Sequence, residues 1–164
     1  MAWWAWTLVA YLGLGLLWKL GIQWIRRRAP RAGPFGTPDG QRFWVVWDDP
    51  LADLLMKGHA NAVTVGPDIG LSTTATTGLW KDWSIVHEHE HVGQQCAPLG
   101  SQAPRTALWM LGVVTGPVCV LLSVLGPFEK GPKAAGLAML SRPQDTTRQP
   151  WSDLATKVNQ TRPV

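Results

Sequence analysis

The sequence predicts an α+β chain: short antiparallel strands and one polar helix, with an N-terminal transmembrane helix and a second apolar helical segment. Three observations predict it. Residues 2–25 are apolar almost throughout, and a second apolar run covers 107–126. Residues 41–72 alternate β-rich runs with turn signals. Between these regions, residues 84–95 form a polar stretch with helical spacing.

With 164 residues, the chain has room for one ordinary domain, or for a smaller one plus membrane segments. Its net charge of +4 is mild, and its basic residues cluster beside apolar runs instead of interleaving with aromatics. That distribution argues for membrane topology and against a nucleic-acid partner. Cys96 and Cys119 make no C-x-x-C motif and are read as reduced structural thiols.

Residues 2–25 have the length of one helix across a hydrocarbon core of roughly 30 Å. Trp3, Trp4 and Trp6 at one end, and Trp18 and Trp24 at the other, are placed like interfacial aromatic belts. Lys19, the one charge, is near enough to the end to snorkel. No basic stretch precedes the apolar run, so an uncleaved anchor is expected over a secretory signal. Arg26, Arg27, Arg28 and Arg31 follow at once, which puts the N-terminus outside and the rest in the cytoplasm. The same arginines suit anionic headgroups. Residues 26–40 read as a basic linker without regular structure, since three Pro and three Gly fall between Ala29 and Gly40.

The folded part is expected from 41 to 140, including the apolar segment 107–126. Arg42 to Trp47 reads as a strand stopped by Asp48-Asp49-Pro50, and Pro50 to His59 as a short helix. Asp48 and Asp49 are read as an acidic turn or N-cap, and His59 as no ligand. Ala60 to Ser72 reads as two short strands around Gly66-Pro67-Asp68. Asp82 or Ser84 would cap the helix that follows. In the second apolar run, Gly116-Pro117 predicts a dipping hairpin or two short packed helices, although a straight span has the same length. Crossing would carry Lys130, Lys133, Arg142 and Arg148 outside, against the positive-inside rule. A helix is possible from Lys133, and residues 141–164 read as a loosely ordered, flexible tail.

The central stretch runs Val86-His87-Glu88-His89-Glu90-His91-Val92-Gly93-Gln94-Gln95. As a strand it would align His87, His89 and His91, but Glu, Gln and His are poor strand formers. As a helix it satisfies His-Glu-x-x-His from His87, the pattern of zinc peptidases. His87 and His91 then share one face and can chelate one ion, with Glu88 as general base. His89 falls on another side and is expected at the surface or behind the ligands; Glu90 is expected at the surface. Glutamate is scarce, with Glu88, Glu90 and Glu129 the three in the chain, so a merely solvated helix turn accounts poorly for two of them here.

This stretch resembles the helix of small bacterial zincin-like metallopeptidases of the His-Glu-x-x-His-Val-x-Gln type. A segment like Ala62-Val63-Thr64-Val65-Gly66 precedes the helix in several of them. An apolar segment follows, then an Asn-Pro-Phe-Glu-x-Glu-Ala-type motif that Gly126-Pro127-Phe128-Glu129-Lys130-Gly131-Pro132 resembles. The resemblance spans roughly Asn61 to Ala138. It implies a minimal zincin-like domain, Zn2+ held by His87, His91 and Glu129, and Glu88 as catalytic base. It also implies a peptide or protein substrate. Gly126 and Gly131 depart from the motif, standing where an Asn and a second acid are usual. The metzincin extension is missing, since Gly93 comes one residue early and Pro98 follows Ala97 where a third His is required. The expectation is a membrane-anchored zinc metallopeptidase with its site on the cytoplasmic side. The alternative is a non-enzymatic small membrane protein of one or two spans whose His cluster is structural or incidental.

Overall fold

Alternation in Arg42 to Val46 builds a strand whose Phe43 and Val45 are fully buried, while Trp44 faces the other way under the Arg105 guanidinium. In the computed structural model this strand sits in a mixed sheet. The structure describes residues 3–56, 62–73, 80–124, 130–141 and 148–163. Among them are four strands: β1 (Arg31–Gly36), β2 (Arg42–Val46), β3 (Ala62–Val65) and β4 (Asp68–Leu71). There are six α-helices: α1 (Trp3–Ile25), α2 (Pro50–Met56), α3 (Asp82–Cys96), α4 (Arg105–Val124), α5 (Lys130–Ser141) and α6 (Gln149–Asn159).

The sheet order is β1-β2-β4-β3. The β3–β4 hairpin turns through Gly66, whose φ of 60° favours glycine. Its register pairs Val63 with Gly70 and Val65 with Asp68. The sheet is not purely antiparallel: β2 and β4 run parallel, with Val45 opposite Ile69. The crossover through α2 carries β3 past β4 to the edge, so the hairpin returns β4 to the place beside β2.

Two regions expected to be irregular contain regular elements. Residues 26–40 hold a 3-10 turn at Arg26–Arg28 and then β1, which pairs antiparallel with β2. Pro34 is tolerated because β1 is an edge strand, where a missing N–H breaks no ladder, and the register shifts between Ala32 and Phe35. Within the expected tail, α6 buries Trp151, Leu154, Ala155 and Val158 in the core. Arg148 and Ser152 both bond the Asp82 carboxylate at the start of α3, and Asn159 exchanges two hydrogen bonds with the Trp80 backbone. Asp82 therefore serves α6; the N-cap position of α3 is Lys81.

The core lies between the sheet and α3. Phe43, Val45, Trp47, Ile69 and Leu71 meet Ile85, Val92 and Cys96, with Met139 of α5 and Trp151 of α6 closing the far side. Each large apolar side chain so buried contributes about 1.5–3 kcal/mol. Free Cys96 is part of this core, and burial pushes its thiol up to about 11, so it stays protonated.

Among the described residues one helix, α1 with its 3-10 extension, is long and apolar enough to cross a membrane. At 17% burial of its most apolar window it is no core helix. It packs antiparallel on α4 through glycines: a Cβ at Gly15 would lie 1.9 Å from the Val113 oxygen, and one at Gly112 would lie 2.0 Å from Lys19. The second apolar run is one unbroken helix, with Pro117 inside it, and neither a hairpin nor two pieces. Pro117 has no N–H for the Val113 carbonyl four residues back, and that carbonyl lies against Gly15. Tyr11 donates its hydroxyl hydrogen to the next carbonyl, Val114. After α4 the chain returns, and α5 runs antiparallel to α3, with Gly131 against Gln94 and Gly136 against Trp83 and His87.

The end of α1 is tied to the sheet by one buried ion pair. Arg26 Nη2 lies 2.5 Å from Asp49 Oδ2, with side chains 2% and 0% exposed. Asp49 also accepts the Leu51 amide at 3.0 Å, capping α2 as the sequence suggests. Asp49→Ala strands the Arg26 charge and is expected to cost about 3–5 kcal/mol, read as a lower thermal midpoint of the detergent-solubilised chain. A pH dependence follows from α6. The Arg148 hydrogen bond, opposed by burial, holds the Asp82 carboxyl below its ordinary value of 3.8. The unfolded chain takes that proton first, so this stability is present above about pH 3.8 and is lost as pH falls through the depressed value. Asp82→Asn is expected to unfold more easily at neutral pH and to converge with the parent chain in acid, as followed by near-ultraviolet circular dichroism.

Candidate metal centre

The helix α3 places its chemistry by periodicity. His87 and His91 lie one turn apart on a single face, with ring centroids 5.1 Å apart and planes at 80°. His91 is buried, and Gln94 Oε1 stands 3.3 Å from its Nδ1. The tautomer with its hydrogen on Nδ1 would donate to that amide oxygen and present Nε2 to a metal. Glu88 is buried beside His87. Its Oε2 accepts the Thr64 hydroxyl at 2.7 Å, and its Oε1 lies 3.9 Å from His87 Nε2.

Thr64 belongs to β3, so the sheet edge positions the Glu88 carboxylate. The segment is pinned twice more by α3: Gln95 Nε2 donates to the Thr64 carbonyl at 2.9 Å, and Gln95 Oε1 accepts the Gly66 amide at 2.6 Å. Thr64, Gln94 and Gln95 were not singled out from the sequence as site residues. A signal existed for the glutamines, which sit three and four residues after His91 on its own face. Thr64 had none, because its partner is a side chain on another element.

His89 differs from expectation. Two residues from His87 is about 200° around a helix, and the structure puts His89 on the core side, 2% exposed. Its Nε2 lies 3.2 Å from Asp39 Oδ2, and its ring meets Trp151 at 5.3 Å. Burial lowers its pKa below 6.5, against the opposing charges of Asp39 and then Glu90. Glu90, also expected at the surface, is half-buried.

The structure thus brings His87, Glu88 and His91 together. Glu129, the remaining member of the expected set, lies outside the described residues, as does His59. Among the described residues no group of three or more His, Cys, Asp or Glu is placed to hold a metal ion. Comparison of the chain with protein-family models, curated proteins and solved structures gave no match. Thr64→Val, which removes one donor from the buried Glu88 carboxylate, is expected to cost about 1–3 kcal/mol in chemical unfolding, with Thr64→Ser restoring most of it.

Proposed function

We propose that this chain is a membrane-anchored, zinc-dependent metallopeptidase with a minimal zincin-like domain, and that His87 and His91 are zinc ligands with Glu88 as the catalytic base. The observation that carries this reading is the buried Glu88 carboxylate, held by Thr64 of the sheet edge beside His87, with His91 one helical turn on. A merely solvated helix turn has no need of that hydroxyl or of that burial. The donors suit zinc, which takes neutral imidazole nitrogen and carboxylate oxygen and keeps a position open in catalytic sites.

Glu129 is proposed as the third ligand. In support, α5 returns to α3 instead of continuing away, and Gly131, two residues after Glu129, lies against the Gln94 that orients His91. Bound zinc would supply Lewis acidity, polarising the scissile carbonyl and acidifying the attacking water. Thr64 donates to Glu88 Oε2 and so orients the carboxylate, and Glu88 would take the proton of the attacking water. Glu88 then delivers that proton to the departing amine. The edge strand β3 beside α3 is where an extended peptide substrate would pair.

On this reading α1 is the anchor, the N-terminus is outside, and the site faces the cytoplasm. The exposed apolar face of α1 and the arginines that follow it support this orientation. The purified full chain in detergent is expected to hold one zinc and to lose hydrolysis of an unstructured protein on chelation. Glu88→Gln should retain zinc while slowing hydrolysis by roughly 10²–10⁴-fold; His87→Ala and Glu129→Gln should lose zinc. Metal analysis that finds no stoichiometric zinc, or zinc indifferent to His87→Ala, favours a non-enzymatic membrane protein instead.

A further inference from the structure

A second built site lies where α1 meets the sheet, on another face of β3 from the candidate metal centre. A cavity of about 300 Å³ is lined by Lys19, Arg26, Arg27, Arg31 and Arg105. Asp68 is the one carboxylate on its wall among the described residues. Arg31 and Arg105 share that carboxylate, at 3.4 and 2.9 Å, and Arg26 turns to Asp49 behind the wall. Among the described residues, five cationic side chains against the carboxylates of Asp68 and Asp49 leave the cavity positive.

Two of the cations are taken out of water, and Asp49 pairs with Arg26. Lys19 is 7% exposed and Arg26 4%, and Arg26 Nε is buried with no hydrogen-bond partner. An excess of buried cations over anions is costly, so a site built this way favours an anionic occupant. The other wall is apolar, formed by Ile22, Leu108 and Trp109 where α1 and α4 lie side by side. A cationic cradle next to an apolar helix pair suits a ligand with a phosphate at one end and hydrocarbon at the other.

We propose that this cavity binds the phosphate of an anionic phospholipid, with its acyl chain along the α1–α4 pair. The proposal rests on α1 lying in a bilayer, and not on the peptidase reading. The cavity sits at the Trp18–Trp24 end of α1, which is the end at headgroup level when α1 spans. Arg27 stacks on Trp24 at 5.0 Å and lines the same cavity.

The test is native mass spectrometry of the full chain, released from detergent and titrated with phosphatidylglycerol, phosphatidylcholine or inorganic phosphate. Phosphatidylglycerol is expected to give one adduct, held roughly tenfold more tightly than phosphatidylcholine. Arg31→Gln and Arg105→Gln should each weaken it roughly tenfold. Asp68→Asn, which removes the competing carboxylate, should tighten it. That opposite sign separates ligand binding from simple loss of fold, because all three substitutions break the same ion pairs. Equal retention of the two lipids, or Asp68→Asn weakening the adduct, overturns the proposal. Inorganic phosphate competing as well as the lipid overturns the lipid assignment in favour of a free phosphate. Alkaline carbonate extraction separates the two readings: a chain washed off membranes defeats the anchor reading and this one together. A resistant chain indifferent to headgroup charge defeats this one alone.

Discussion

The buried pair of Arg26 and Asp49 is the constraint on which the arrangement of the other elements depends. Arg26 ends the apolar helix, and Asp49 ends β2 and caps α2. Beneath them runs β4, where a Cβ at Gly70 would lie 1.6 Å from Asp49 Oδ2. Only a residue without a side chain lets the pair lie against the strand. The Arg26 guanidinium also approaches the Val63 carbonyl at 3.5 Å, so one ion pair gathers α1, α2, β3 and β4. Two charges removed from water at this depth are tolerated because each is matched by the other. The consequence is directional: α1 leaves the sheet at a fixed place, and β3 sits between that junction and the candidate metal centre.

The helix α3 has no solvated face of the ordinary kind. One side carries Glu88 towards Thr64 and His87 against Gly136 of α5; the opposite side buries His89 against Trp151 and Asp39. Thr64 holds Glu88 on one side and Trp151 packs on the His89 ring on the other, which fixes the rotation of the helix about its axis. A few degrees of rotation would misplace the Glu88 carboxylate, so the packing of α6 and the geometry of the candidate site are one mechanical problem. This gives α6 a part in positioning.

The α1–α4 pair solves a different problem. Proline inside a helix leaves a carbonyl without its donor, and here that carbonyl, Val113, meets the bare Cα of Gly15. Gly15 and Gly112 bring the helices close enough for this contact, in the manner of small-residue packing between membrane helices. The break that argued against one continuous helix is accommodated by its neighbour.

What the sequence determined by itself was everything governed by local periodicity. The helical spacing of His87 and His91, the alternation in β2, the Gly66 turn between β3 and β4, the Asp49 cap and the apolar length of α1 all follow from residues near one another in the chain. The helix α6 was also legible, since Trp151, Leu154, Ala155 and Val158 recur at helical spacing, but the polar surroundings and Pro150 obscured it. Tertiary structure alone decided the rest. Whether a Gly- and Pro-rich segment becomes β1 depends on β2 offering its backbone. Whether β4 lies parallel to β2 depends on where the crossover through α2 leads. Whether His89 is surface or core depends on Trp151, sixty-two residues away. Thr64 joins Glu88 only because β3 and α3 pack together. These are contacts between distant residues, and each side chain carries no local trace of the partner it will meet.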